Sequence, residues 1–471
     1  IAARSGIGAV MGSKKLKMIV LEGNQKIPLY DKKSFINSVR EYNKDIKSDT
    51  GKIMQFILNR VPKMAKLMRR LGIGMSGPPG MIQQVYRNLG TSAGNTIASE
   101  TGDAPIKNWA GIGMYDFPFE KSSNISATEI QKFKIKEYGC FSCPIRCGAI
   151  LKVPELDIDE THLPEYETCA AFGMDLLNDD LMSIIQVNEM CNRAAIDTIS
   201  AGATIAFAME CYEKGMLTKE DTDGLDLTWG NSKAIIELVK KIINRSGIGD
   251  LLADGVDVAA KKIGKGSSKY AMTSFGQEVA MHNPRIFESL AHSYAYDPTP
   301  GRHTTPSIDF FDIGNVDKYL KGFKLPKGYN KDKKMKAKAQ KLTIGAHNAV
   351  ISSGLCIFTS LFGFYPLLPL LNSATGWDLS IDDLTEIGLR IQTLRQAFTL
   401  REQPNFVDHD LPGRIYGDPP FEKGPTEGKT VEYKEFSKLV FQEMGWNPEN
   451  GIPLKETLED LDLSFVIKDF F

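Results

Sequence analysis

Residues 178–217 read NDDLMSIIQVNEMCNRAAIDTISAGATIAFAMECYEKGML, and this stretch decides the fold class. Asn178, Asp179 and Asp180 carry side-chain oxygens that can accept from the free N–H groups of a helix start, so they cap a helix predicted over Leu181–Ala195. Segments Ser200–Lys214 and Ser232–Asn244 follow, each closed by a Gly or Asn signal, and a further helix is predicted over Gly249–Lys262. The chain is therefore expected to be mainly α, in at least two helical domains with a boundary near residue 270.

Working outward on the N-terminal side, residues 126–139 are expected to form a helix leading into a cysteine cluster. Residues 81–120 read as a helix followed by irregular chain, and Gly72–Gly80 (GIGMSGPPG) as a loop. Ile36, Val39, Tyr42, Met54, Ile57, Leu58 and Val61 recur at helical spacing, which predicts a basic amphipathic helix within 33–70. The first twenty residues read as a Gly-rich turn, a small-residue segment and a short strand over Leu16–Leu21. The chain starts at Ile1 and runs straight into that Gly-rich segment, so further residues are expected upstream.

On the C-terminal side, residues 270–310 are rich in His, Pro and Arg and are expected to be irregular and to carry function. Nine lysines lie between Lys321 and Lys341, a solvated face or a docking face for an acidic partner such as a ferredoxin. Ile381, Leu384, Ile387, Leu389, Ile391 and Leu394 predict a helix over 379–402, and the tail from Gly413 alternates turns with short helices. Leu355–Leu371 is largely apolar, but Pro366 and Pro369 interrupt it. A spanning helix needs about 20 apolar residues, so a buried, kinked helical core is expected and no membrane span.

Composition narrows the function. The chain has 471 residues, 42% hydrophobic and 24% charged, with a formal net charge of −1. That is ordinary globular chemistry, large enough to bury a sizeable core, with no global call for nucleic acid. Seven cysteines are too few for a disulfide scaffold and point to a reducing compartment, here the cytoplasm.

Three of the seven form the motif Cys140-Phe-Ser-Cys143-Pro-Ile-Arg-Cys147. Thiolates this close can face one metal centre. Zinc and iron–sulfur both suit them; the spacing favours a [4Fe–4S] cluster, with a fourth ligand from elsewhere. Cys191 and Cys211 sit in predicted helices and read as core, whereas Cys356 follows a helix-end-like turn and is the best fourth ligand. The segment from Arg4 to Lys15 (RSGIGAVMGSKK) lacks the Lys-Ser/Thr ending of a phosphate loop; it is either a phosphate cradle or a tight structural turn. Glu165 and Glu167 in PEYET alternate on one expected extended face, as surface acids, as acids at a helix N-terminus, or as a general acid or base near a redox centre. Six histidines are present, at 162, 282, 292, 303, 347 and 409, and His303 lies in a polar loop, Asp297–Thr305.

Taken together, ARSGIGAVMGSKKLKMIV (3–20), CFSCPIRCG (140–148), PEYET (164–168), residues 191–217, RSGIGDLLADG (245–255), GQEVAMHNPR (276–285), SSGLC (352–356), REQPNFVDHDLPGR (401–414) and GWNPENGIPLKETLEDLDL (445–463) resemble the tungsten-containing aldehyde:ferredoxin oxidoreductase family. The resemblance implies two helical domains of that type, over 31–270 and 271–471. They would be preceded by residues 1–30 as the end of an N-terminal β domain that forms the base under the pterins. It implies a tungsten (or molybdenum) bis-pterin, a [4Fe–4S] cluster and a Mg ion linking the pterin phosphates. By position, Cys140, Cys143, Cys147 and Cys356 match the cluster ligands. Ala3, Arg4 and Gly6 match the stretch meeting the pterin phosphates; Asn192, Ile196, Asp197 and Leu355 fall in the pterin motifs. Glu167 and His303 match the acid and the histidine beside tungsten.

The departures are as informative. Asn192 and Ala195 stand where the family has Asp and Gly, and Ile351 stands where the second pterin motif begins with Asp. Ile351 can accept no hydrogen bond. The family's arginine before the active-site histidine is missing, with Thr299 near that place. Three functions follow from the resemblance. The first is two-electron oxidation of aldehydes to carboxylic acids, or the reverse, with electrons passed to ferredoxin or an iron–sulfur subunit. The second is a reductive tungsten enzyme for an aromatic or unsaturated acyl-CoA. The third is a degenerate, cluster-holding, non-catalytic subunit. A homodimer or a larger complex is expected.

Overall fold

The computed structural model describes residues 4–47, 81–309, 323–360 and 365–471. Ala3, the 48–70 part of the expected N-terminal helix, the Gly72–Gly80 loop and the first lysine of the basic stretch lie outside the described residues. The chain is mainly helical and divides into two compact units.

The first unit comprises Ile1–Leu29, Leu89–Cys140 and Arg146–Met281. Its centre is the helix Thr198–Glu213, buried at every residue from Ala201 to Cys211. A helix apolar all round belongs in a core, and each fully buried Ile or Phe of it contributes roughly 1.5–3 kcal/mol. The helices Tyr166–Phe172 and Ser232–Asn244 pack against it, and Leu181–Ala194 packs on both. The caps set the boundaries. Asp180 accepts from the N–H groups of Met182 and Ser183, and Asn231 accepts from Ala234. Asn178 does not cap; its amide donates to the Phe172 carbonyl oxygen and to Ser183 Oγ. The second helix starts at Thr198, ahead of the expected Ser200, because Asp197 caps it. The helix expected over Gly249–Lys262 is two, Ile248–Leu252 and Val256–Ile263, parted where Gly255 adopts φ +91°.

The expected helix over 126–139 is a correction. Helix Ala127–Ile130 and a 3-10 turn over Gln131–Phe133 end there; Lys134–Tyr138 is a strand, β1, pairing antiparallel with β2 (Gly148–Val153), which pairs with β3 (Ile158–His162). The segment KIKEY shows no alternation of its own and is a strand through its pairing with β2. Leu16–Leu21 is corrected the other way. It forms no strand, and Met18, Ile19, Val20 and Leu21 are exposed, because no described segment offers it a ladder partner.

The second unit comprises Tyr30–Asn88, Phe141–Ile145 and His282–Phe471. Its frame is the closely packed pair Lys333–Ser352 and Ile381–Glu402, with Tyr433–Glu443 packed on the former and Glu288–Tyr296 packed on Tyr433–Glu443. Helix Lys32–Lys47 packs on Leu367–Thr375. Ser380 and Asp383 form a capping box, which starts the Ile381 helix close to where its apolar spacing begins. The stretch expected to be irregular over 270–310 contains the buried helix Glu288–Tyr296, too short and too flanked by Pro and His for periodicity to reveal it. Part of the lysine-rich stretch is engaged by the protein's own acids: Lys333 pairs with Glu432 and Glu435, and Lys336 with Glu288 at 3.2 Å and Asp309 at 3.7 Å. Among the described residues no single helix is long and apolar enough to cross a membrane. The bent pair Leu181–Ala194 and Thr198–Glu213 is apolar enough by composition, but it turns through 120° and forms the core just described.

Candidate metal and pterin residues

The seven cysteines fall into two chemical classes. Cys169, Cys191 and Cys211 are buried, and burial pushes each thiol up to about 12. Only a thiolate binds metal, so these three act as small apolar core residues. Cys140 and Cys356 are exposed, and Cys143 and Cys147 are half-buried. Cys140, Cys143 and Cys147 share the connection between β1 and β2, whose last register pair, Tyr138 with Gly148, closes a loop over 139–147. Cys140 and Cys147 belong to the first unit.

Cys143 and Cys356 belong to the second unit, and there they approach the same phenol. Tyr42 is held well above its ordinary range by burial first, then by Tyr365, Cys143 and Cys356. Its hydroxyl donates to the Thr359 carbonyl oxygen at 3.1 Å, and Thr359 Oγ1 donates to the Cys356 carbonyl oxygen at 2.6 Å. The Tyr42 and Tyr365 rings meet edge to face at 4.9 Å. Arg87 donates to the Pro144 carbonyl oxygen at 2.8 Å, which fixes the backbone beside Cys143. Accessible thiols are the kind of donor an iron–sulfur centre takes, and the three buried ones are excluded by the same physics.

In the first unit, Arg4 and Asp197 form a partly buried ion pair at 2.8 Å. The other terminal nitrogen of Arg4 donates to the Glu278 carbonyl oxygen at 2.7 Å. Asp197 also accepts from Ile199 N–H, Ser200 N–H and Ser200 Oγ, so one carboxylate both caps a core helix and anchors Arg4. The Glu278 carboxyl lies buried beside them and accepts from Val256 N–H at 2.8 Å; burial raises its pKa. Gly6 follows Arg4 at φ +77° as the N-cap residue of helix Ile7–Ser13. Asn192 and Ile196 are half-buried at the end of Leu181–Ala194, where Ala195 adopts the left-handed φ of +59°.

Glu165 and Glu167 do not share an extended face. Glu165 precedes helix Tyr166–Phe172, is half-buried, accepts from Thr91 Oγ1 and has its pKa raised by loss of solvent around the carboxyl. Glu167 stands in the first helical turn, half-buried, with Oε2 accepting from Met281 N–H at 2.9 Å.

Of the six histidines, two are removed from acid–base work near neutrality. Burial lowers His292 and His347 to about 4. His162 stacks edge to face on Tyr138 at 4.5 Å. In the second unit His303 lies 4.9 Å from the His282 ring, so His282 joins it as a neighbour that its own sequence position did not single out. The loop preceding His303 is tied down from a distance. Arg395, on the helix Ile381–Glu402, donates to Thr299 Oγ1 at 3.0 Å and to buried Asp297 at 3.2 Å; Gln392 donates to the other Asp297 oxygen at 3.1 Å. Arg395 was legible only as a helix member, because nearly a hundred residues separate it from its partners. Leu355 packs in the second unit's apolar cluster with Ala349, Val350, Leu367 and Leu384, and Ile351 is 39% exposed at a helix end.

By donor chemistry, accessible thiols suit a cluster and the Arg4 guanidinium suits a pterin phosphate, whereas Ile351 brings no hydrogen-bond acceptor.

Comparison with known proteins agrees in order and extent. Residues 77–463 match the family model described as "Aldehyde ferredoxin oxidoreductase, domains 2 & 3". A tungsten-containing aldehyde ferredoxin oxidoreductase of Pyrococcus furiosus is 32% identical over 466 residues, covering 98% of this chain and 69% of that one. Its namesake in Thermococcus kodakarensis is 31% identical over the same share of each chain. A P. furiosus aliphatic sulfonate oxidoreductase, WOR-like subunit, is 28% identical over 98% of this chain and 66% of its own. Among solved structures, the active site complex BamBC of benzoyl coenzyme A reductase with 1,5-dienoyl-CoA has the same fold, with a TM-score of 0.69 at 21% identity over 99% of this chain and 70% of that one. A family model matched across most of the chain, and relatives above 30% identity, leave one conclusion: the chain belongs to the aldehyde ferredoxin oxidoreductase family, a family of tungsten-containing oxidoreductases.

Proposed function

We propose that this chain is a tungstopterin oxidoreductase that interconverts aldehydes and carboxylic acids, passing electrons through a [4Fe–4S] cluster to ferredoxin or an iron–sulfur subunit in the cytoplasm. The observation that carries the reading is the division of the cysteines, four accessible in the family's ligand positions and three buried and inert. Cys140, Cys143, Cys147 and Cys356 hold the cluster in this reading. Arg4 and Gly6 meet the pterin phosphates and their Mg ion, Ala3 and Leu355 contribute backbone, and Asn192, Ile196 and Asp197 border the pterin ring system. The tungsten bis-pterin, when bound, supplies the two-electron chemistry and Lewis acidity.

The residues then divide the remaining work. Oxidation of an aldehyde consumes water and releases the acid, two protons and two electrons, so a proton acceptor is required. Glu167 takes that role, with one carboxylate oxygen fixed by Met281 N–H. His303 donates a hydrogen bond to the carbonyl oxygen, its loop held by Arg395 through Thr299 and Asp297. Asp197 keeps Arg4 pointed.

Metal analysis of anaerobically purified protein tests the reading. About one tungsten (or molybdenum) and about four irons per chain are expected. Iron without tungsten or molybdenum would favour the non-catalytic subunit, for which Ile351 and Asn192 supply the reason, and zinc alone would remove the cluster.

A further inference from the structure

Arg285 is 2% exposed, in the second unit. Its guanidinium carbon lies 3.9 Å from the centroid of the Phe421 ring, so one face is covered by an aromatic surface. Nε donates to Asn283 Oδ1 at 3.1 Å, and the Arg285 backbone N–H donates to the same oxygen at 3.0 Å. The two terminal nitrogens carry four more N–H donors. Among the described residues none of the four meets a protein acceptor, and no Asp or Glu lies within ion-pair distance.

This is exceptional within its own surroundings. The other buried charges of the same unit are compensated: Asp297 meets Arg395, and Asp309 meets Lys336. Arg285 has only a neutral amide beside it. A second cation deepens the imbalance, because the Lys429 ammonium donates to the Arg285 carbonyl oxygen at 3.3 Å. Burial alone lowers Arg285 to about 10, still charged at neutral pH. A buried cation with an unfilled donor fork and no counter-ion is a receptor for a planar or tetrahedral oxyanion, which such a fork binds through two parallel hydrogen bonds.

We propose that Arg285, stacked on Phe421 and backed by Lys429, forms an anion-binding site for a carboxylate- or phosphate-bearing ligand. Its donors are those of Arg285 and Lys429 alone, so the proposal stands whether or not the functional reading above does.

The test is thermal unfolding of the purified protein in sodium phosphate and in sodium acetate, each against sodium chloride at equal ionic strength. A saturable rise on the order of 2 °C is expected in the unsubstituted protein. It should vanish in Arg285→Met. Should that variant fail to fold, Asn283→Asp decides: it places a carboxylate where the amide now accepts, so it should raise the melting temperature in chloride and abolish the response to the added anion. A response to phosphate alone assigns a phosphoryl ligand, and a response to acetate alone assigns a carboxylate. No saturable rise in the unsubstituted protein, or an equal rise in Asn283→Asp, overturns the proposal.

Discussion

Ala195 carries a backbone conformation that suits glycine. At φ +59° its methyl group crowds the following carbonyl oxygen, a cost of roughly 1–2 kcal/mol. The turn is needed nonetheless, because it delivers Asp197 to cap the next helix while Ala195 and Ile196 donate back to the helix just ended. Ala195→Gly is therefore expected to stabilise the protein by about 1 kcal/mol, less the extra entropy glycine gains in the unfolded chain. Chemical denaturation reads this as a higher midpoint at unchanged slope, and an unchanged or lower midpoint would refute it. This position was legible in the sequence, since the resemblance marks Ala195 as a departure from glycine. The partners of Asp197 and Thr299 were not. Arg4 lies 193 residues from Asp197 and Arg395 lies 96 from Thr299, and no local pattern encodes contacts of that span.

At the scale of elements, what could be read were helices with their caps and long apolar spacing. Ser232–Asn244 appeared at the expected residues, and Ile381–Glu402 within two of its expected start. What could not be read were short elements that exist only through partners. Strand β1 needs β2, and the buried helix Glu288–Tyr296 is shorter than the window in which helical periodicity emerges. Helix contacts are also invisible until two segments meet. The frame of the second unit depends on Gly345 and Gly388, which let Lys333–Ser352 and Ile381–Glu402 touch backbone to backbone. A Cβ on residue 388 would come within 1.8 Å of the Gly345 carbonyl oxygen. Gly388→Ala must separate the two helices, and the lost packing outweighs a gain of about 1 kcal/mol in helix propensity. A net loss of about 1–3 kcal/mol is expected in urea unfolding. The same change at Gly12, where an added Cβ meets nothing within 4 Å, is the control and should be neutral or stabilising.

For the whole molecule, two buried histidines set a limit on acid stability. His292 Nδ1 pairs with Ser437 Oγ at 2.8 Å and His347 Nε2 with the Thr304 carbonyl oxygen at 3.1 Å. Burial lowers both to about 4, against an ordinary value of 6.5, with Asp297 pulling each back upward and Arg395 pushing His347 further down. Below pH 6.5 the unfolded chain therefore binds protons that the folded chain refuses. Stability is complete above about 6.5 and falls as the pH drops toward 4, by on the order of 3 kcal/mol for each ring. Three acids drawn away from solvent act in the opposite sense. Glu165, Glu278 and Asp309 have raised pKa values, so each favours the folded state as the pH falls. The total curve mixes the two, but a difference between variants isolates the histidines. The melting temperature of the unsubstituted protein minus that of His347→Gln should shrink steadily from pH 7 to pH 4.5, as the glutamine variant escapes the protonation penalty. The His292→Gln difference should do the same. A difference independent of pH would mean that the imidazoles keep their ordinary pKa on folding and take up protons below pH 6.5, which would place ionised rings in a core that offers His347 a carbonyl oxygen and His292 a hydroxyl.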